Sequence, residues 1–173
     1  PALLASALLG GAVPAPAQSP LPALGDAASE TLPVGEERRL GDLIMRDVRR
    51  DPAYLDDPVL QDYIEQLWQP LVAVARRQGH IGPDVDGSFA WRTFLVRDPS
   101  VNAFALPGGH VGVHLGLIAM TRHPDELASV LAHELTHVTQ RHIARSIESS
   151  QKVGPVGIAA MLLGILCLLY TSD

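Results

Sequence analysis

The sequence predicts an α+β domain with a small sheet. Three observations carry that expectation. Two stretches of helical period come early, an aromatic and β-branched segment follows from residue 89, and a long later helix holds the pentad HELTH at residues 133–137. Helices, then a strand pair with a turn, then a long helix make an α+β layout, with a sheet of only about three or four strands.

The elements follow in order. ALLASALLGGAV, residues 2–13, is an apolar run of signal-peptide length, and Ala15 and Ala17 fit the small-residue positions of a cleavage site before Gln18. Residues 1–17 therefore read as the remnant of a signal peptide in a chain truncated at its start, which predicts export to the periplasm. Prolines interrupt the run before it reaches the roughly 20 apolar residues of a spanning helix. Residues 18–35, rich in Pro, Ala and Ser, read as a linker. Residues 36–152 are expected to form the folded domain, and residues 153–173 a separate apolar segment.

Within the domain, GEERRLGDLIMRDVRR (35–50) spaces Leu40, Leu43, Ile44 and Val48 at helical intervals. Asp57-Pro58 opens a second helix as N-cap and first-turn proline, with Leu60, Ile64, Leu67, Leu71 and Val74 on one face and an end near Gly79. Gly82-Pro83 and Asp86-Gly87 mark turns. FAWRTFLVRD (89–98) reads as a strand, Gly108-Gly109 as a tight turn, and His110 to His114 as a short strand. Leu115 to Met120 turns helical. The main helix starts at His123-Pro124-Asp125-Glu126, with two acids at its positive dipole end, and is expected to run unbroken to about Gln151.

Composition narrows function. The net charge is −6 and charged residues make up 18 %, so no basic footprint for nucleic acid exists. The single cysteine, Cys167, excludes an internal disulfide framework and a Cys-rich zinc site. A hydrophobic fraction of 47 % over 173 residues suffices for one real core.

HELTH carries the chemistry. Four residues advance about 400° on a helix, so His133 and His137 lie about 40° apart and one turn along. Both imidazoles can then reach one zinc ion at roughly 2.0–2.1 Å. Glu134 lies beside the metal, where it can act as general base on a zinc-bound water and later protonate a leaving amine. Val130, Leu127 and Ala144 flank this stripe, Leu131, Leu135 and Val138 supply core, and Thr136, Arg141 and Arg145 are expected to stay polar or exposed. His142 falls about 180° from His133 on a continuous helix, which removes it from the site. His110 and His114 can line the cleft, though structural hydrogen bonding is the commoner role; His80 and His123 read as loop or surface residues.

A third ligand is missing. The positions that would be Gly and His in H-E-x-x-H-x-x-G-x-x-H are Gln140 and Ile143. After His137 the only carboxylates are Glu148, about 16 Å further along the same helix, and Asp173 at the end. The third ligand is expected outside this chain. VGPVGIAAMLLGILCLLY (153–170) is almost wholly apolar, and residues from about Cys167 onward read as non-native read-through of a gene that continues. The apolar run is expected either to pack as a buried or interfacial helix or to contact a membrane.

NAFALPGGHVGVHLGLI, followed by DELASVLAHELTHVTQRHIAR, resembles the HtpX-like zinc metalloendopeptidases, and the likeness extends over roughly residues 24–160. The resemblance implies a zincin-like metalloprotease domain, with HExxH on a long helix, here truncated. It implies one Zn2+ held by His133 and His137, with Glu134 as general base. It also implies that His110, Val111, Gly112, Val113 and His114 form the edge strand along which an extended substrate lies. In the family, a Glu on a downstream helix completes the zinc site. The implied substrates are unfolded or misassembled proteins, in quality control of outer-membrane proteins. The rival expectation is a non-catalytic, chaperone-like domain holding unfolded β-barrel proteins on the same strand.

Overall fold

A computed structural model of the chain describes residues 32–151. The expectations for a signal peptide and for the apolar segment at 153–173 lie outside those residues, as does most of the proposed linker. The described elements are α1 (Val34–Val48), β1 (Tyr54–Leu55), α2 (Pro58–Arg77), α3 (Pro83–Ser88), β2 (Arg92–Val96), β3 (Ala103–Leu106), β4 (His110–His114), α4 (Leu115–Met120), α5 (Pro124–Thr139) and α6 (His142–Gln151). The first helix starts at Val34, inside the stretch expected as linker.

The four strands form one mixed sheet in the order β1-β2-β4-β3. β2 and β4 are parallel, while β1 pairs antiparallel with β2 and β3 antiparallel with β4. Pro107, Gly108 and Gly109 connect β3 to β4, and both glycines take positive φ (73° and 81°), where an L side chain would be strained. This is the turn that Gly108-Gly109 predicted.

Strand alternation divides the core into two layers. Leu95, Val111 and Val113 face one side and pack with Ile64, Trp68 and Val72 of α2 and with Leu127, Leu131 and Leu135 of α5. Phe94, Val96 and Leu106 face the other side, against Met45 and Val48 of α1. Burying each such large side chain contributes about 1.5–3 kcal/mol. Polar contacts fix the register of α2 on β2. Glu65 accepts from the Thr93 backbone N–H at 2.9 Å and from the Thr93 hydroxyl at 2.7 Å, and Trp68 Nε1 donates to the Trp91 carbonyl at 2.9 Å.

The helix openings follow their sequence signals. Asp57 caps α2, its Oδ1 accepting from the N–H groups of Val59 and Leu60 at 3.0 Å each. Pro124 occupies the first turn of α5, and the Glu126 carboxylate accepts from the N–H of Arg122 at 2.7 Å.

Four expectations need correction. The buried face of α1 is Glu37, Gly41, Met45 and Val48, while Leu43 is exposed. The helix turns this way because Gly41 lets the backbone at Pro107 approach and because Glu37 finds a buried cation. On α2 the seam is Ile64, Trp68, Val72 and Ala75, with Val74 on the exposed side. Residues 83–88, expected as turns, form the short helix α3, opened by Pro83. Finally, the main helix is not continuous. It stops at Gln140, Arg141 takes a positive φ of 51°, and α6 starts again at His142.

Candidate metal centre

α5 carries the candidate site, and its apolar side anchors it. Leu127, Leu131, Leu135 and Val138 are buried in the core, which turns His133 outward and leaves His137 half-buried. The Nε2 atoms of His133 and His137 face each other at 3.0 Å, with the rings steeply inclined at 71°. Two nitrogens that share an ion at roughly 2.0–2.1 Å can stand no more than about 4 Å apart, and this pair satisfies that limit. Two facing imidazole lone pairs repel unless a proton or a cation lies between them, so the donor set suits one zinc ion. Among the described residues no cluster of three or more His, Cys, Asp or Glu forms a complete metal site.

Glu134 lies on the inner side of these histidines and is almost buried. The backbone N–H of Ala105 on β3 stands on its carboxylate side and favours the charged form. Burial raises its pKa above the ordinary glutamate value, against the opposing pull of His137, His133 and the Ala105 N–H. A carboxylate held this way takes up a proton more readily than one in water.

The edge strand is not the one expected. β4 lies between β2 and β3, so His110, Val111, Gly112, Val113 and His114 are all buried and have no free backbone edge. The resemblance had implied an edge, but β2 pairs along the whole of this strand. His110 stands beside Asp42, 3.6 Å away, and His114 Nδ1 lies 2.7 Å from the Ser100 hydroxyl. The edge strands among the described residues are the two-residue β1 and, beside α5, β3. Asn102 accepts from the His114 N–H at 3.1 Å, and backbone groups alternate along an antiparallel strand, so Ala103 and Ala105 turn their N–H and C=O groups away from β4. Ala105 is the residue whose N–H favours the charged form of Glu134.

Two further residues were misplaced by the assumption of a straight helix. Arg141, expected to be exposed, is 1 % exposed and donates from Nε to Glu37 Oε2 at 2.8 Å and from Nη2 to the Leu32 carbonyl. His142, expected on the far side of the helix, lies against His137, with their Nδ1 atoms 2.6 Å apart. Burial and the neighbouring Arg145, His137 and His133 lower the pKa of His142. The signal that the sequence offered was weak: a non-glycine residue in the left-handed region has no marker. A cleft of about 680 Å3 opens on another face of α5, lined by Leu71, Val85, Leu135 and Thr139, and includes neither metal-facing histidine.

The family model described as Peptidase family M48 matches residues 60–170. The chain belongs to peptidase family M48. This is the family to which the sequence resemblance pointed, and membership implies a zincin-like fold and a zinc metallopeptidase. The M48 relatives include the Beta-barrel assembly-enhancing protease of Yersinia pestis, 40 % identical over 172 residues, which covers 95 % of this chain and 34 % of that protein. The Beta-barrel assembly-enhancing protease of Escherichia coli K12 is 37 % identical, covering 95 % of this chain and 32 % of its own length. The Mitochondrial metalloendopeptidase OMA1 of Schizosaccharomyces pombe is 31 % identical over 129 residues, covering 72 % of this chain and 38 % of that M48 protein. The chain thus spans about a third of the length of the relatives it matches. No helix among the described residues is long and apolar enough to cross a membrane.

Proposed function

We propose that this chain supplies the metal-binding helix, the general base and the substrate edge of a zinc-dependent endopeptidase. Its substrates would be unfolded or misassembled proteins in the periplasm, in quality control of the outer membrane. The observation that carries the reading is the convergence of His133 and His137 through Nε2 at 3.0 Å, with Glu134 almost buried beside them. The likeness to beta-barrel assembly-enhancing proteases supports a role at the outer membrane, and the apolar stretch before Gln18 supports export.

His133 and His137 would hold the zinc, with a third donor from outside the described residues. When bound, the ion supplies Lewis acidity, which polarises a peptide carbonyl and acidifies water. Glu134 moves the proton: its carboxylate takes one from the attacking water and returns it to the leaving amine. Its raised proton affinity suits both halves of that task. The outward N–H and C=O groups of Ala103 and Ala105 would pair with an extended substrate, aligning its backbone whatever its side chains.

Glu134→Gln in the full-length protein tests the assignment. The variant should bind close to one zinc per chain and cleave no casein; casein cleavage at the wild-type rate removes Glu134 from the reaction. Absence of bound zinc in the full-length wild type would favour the rival reading, a domain that holds β-barrel precursors along β3 without cutting them.

A further inference from the structure

His142 lies outside the HELTH pentad yet touches it directly. Its Nδ1 is 2.6 Å from His137 Nδ1, and its Nε2 is 2.9 Å from Gln140 Oε1. An amide oxygen only accepts, so the proton on His142 belongs to Nε2. A neutral imidazole carries a single N–H, which leaves His142 Nδ1 as an acceptor. The proton between the two Nδ1 atoms is then that of His137. This arrangement would make His137 the Nδ1–H tautomer, with its lone pair on Nε2, the atom that faces Nε2 of His133 at 3.0 Å.

The break in the helix makes this possible. On a continuous helix His142 would point away from the pair. The positive φ of Arg141 brings it back, and the buried contacts of Arg141 to Glu37 and Leu32 hold that residue in place. A left-handed non-glycine residue costs about 1–2 kcal/mol, so the bend persists only because these contacts offset it.

We propose that Gln140 and His142 form a hydrogen-bond relay that sets the tautomer and ring orientation of His137 for metal binding. They are positioning residues, on the side of the ring opposite the metal, and not ligands. The proposal rests on the reading that His133 and His137 hold zinc. An acceptor partner on the far ring N–H both orients a ligating histidine and raises its basicity, and loss of such a partner weakens metal binding by about 10–100-fold.

Chelator competition on the full-length protein measures this directly. His142→Ala should raise the zinc dissociation constant by about 10–100-fold and shift the visible absorption of the cobalt-substituted protein. The melting temperature of its metal-free form should match that of the wild type. His142→Asn places an acceptor oxygen where Nδ1 stood and should recover most of the affinity. An Ala variant that binds zinc as tightly as the wild type overturns the relay, as does an Asn variant no better than Ala. His133→Ala separates the two readings: if it too leaves zinc affinity unchanged, the metal pair itself is wrong. Should His142→Ala fail to fold, nitrogen-15 shifts of the metal-free wild type decide instead. They are expected to show His137 protonated on Nδ1, and the opposite tautomer overturns the proposal.

Discussion

Arg141 donates to Glu37 at 2.8 Å across 104 residues of sequence, and both side chains are almost completely buried. Removing one partner leaves the other charge uncompensated in the core. Glu37→Ala is therefore expected to cost about 3–5 kcal/mol, seen as a drop in the urea midpoint. Replacing both, with Glu37→Leu and Arg141→Met, should recover most of the loss, because a well-packed apolar pair avoids the desolvation cost. A double variant as unstable as the single one would show that the pair does more than neutralise itself.

Gly41 is the closest approach between α1 and the β3–β4 turn. A Cβ there would stand 2.0 Å from the Pro107 carbonyl oxygen. Gly41→Ala must therefore push α1 off the sheet, at an expected cost of about 1–3 kcal/mol. Gly35 offers the internal control, since nothing lies within 4 Å of its added methyl. Gly35→Ala should be neutral or stabilising by up to about 1 kcal/mol through helix propensity. Thermal melts of the two variants make the comparison.

Stability should fall in mild acid. Burial lowers the pKa of His110, helped by Arg38 and opposed by Asp42; burial also lowers that of His114, opposed by Asp98. Nε2 of each is buried without a hydrogen bond among the described residues, although that of His110 lies 3.6 Å from Asp42. The unfolded chain therefore binds protons at these positions before the folded one does. Their stabilising share is complete above the unfolded value of about 6.5 and is lost as pH falls below it. Denaturant titrations at pH 7.5 and 5.5 should show the decline, and the double variant His110→Gln, His114→Gln should flatten it.

The β3 edge can be tested by removing one N–H. Ala105→Pro deletes an outward-facing N–H of β3, at an edge position where proline is tolerated. Loss of one backbone hydrogen bond, worth about 0.5–1.5 kcal/mol, should lower kcat/KM on casein by roughly 2–10-fold. Zinc content should not change. Equal proteolysis by the variant would move the substrate to another surface.

Much of this architecture was legible from local signals. Asp57-Pro58 and Pro124-Asp125-Glu126 announced their helices because capping and dipole effects act within one turn. The pairing of His133 with His137 followed from helical period alone. What escaped depended on distant partners. Leu40 and Leu43 gave α1 a plausible apolar stripe, but the buried face was decided by Arg141 and the Pro107 turn, both far along the chain. Alternation revealed the strand from His110 to His114 but not its neighbours, and its placement at an edge rested on the resemblance alone. The kink at Arg141 was invisible for the same reason: an arginine takes the left-handed region only where buried partners repay it, and Glu37 is the partner.

The bend at Arg141 also bears on timing. Glu37 leaves the ribosome long before Arg141, and the helix has no reason to bend there until the two meet. Before that docking, His142 points elsewhere and His137 lacks its aligning partner. With the proposed relay, readiness to capture metal is tied to closure of the described fold from α1 to α6. A nascent or half-unfolded copy carries the HELTH residues but not the aligned histidines.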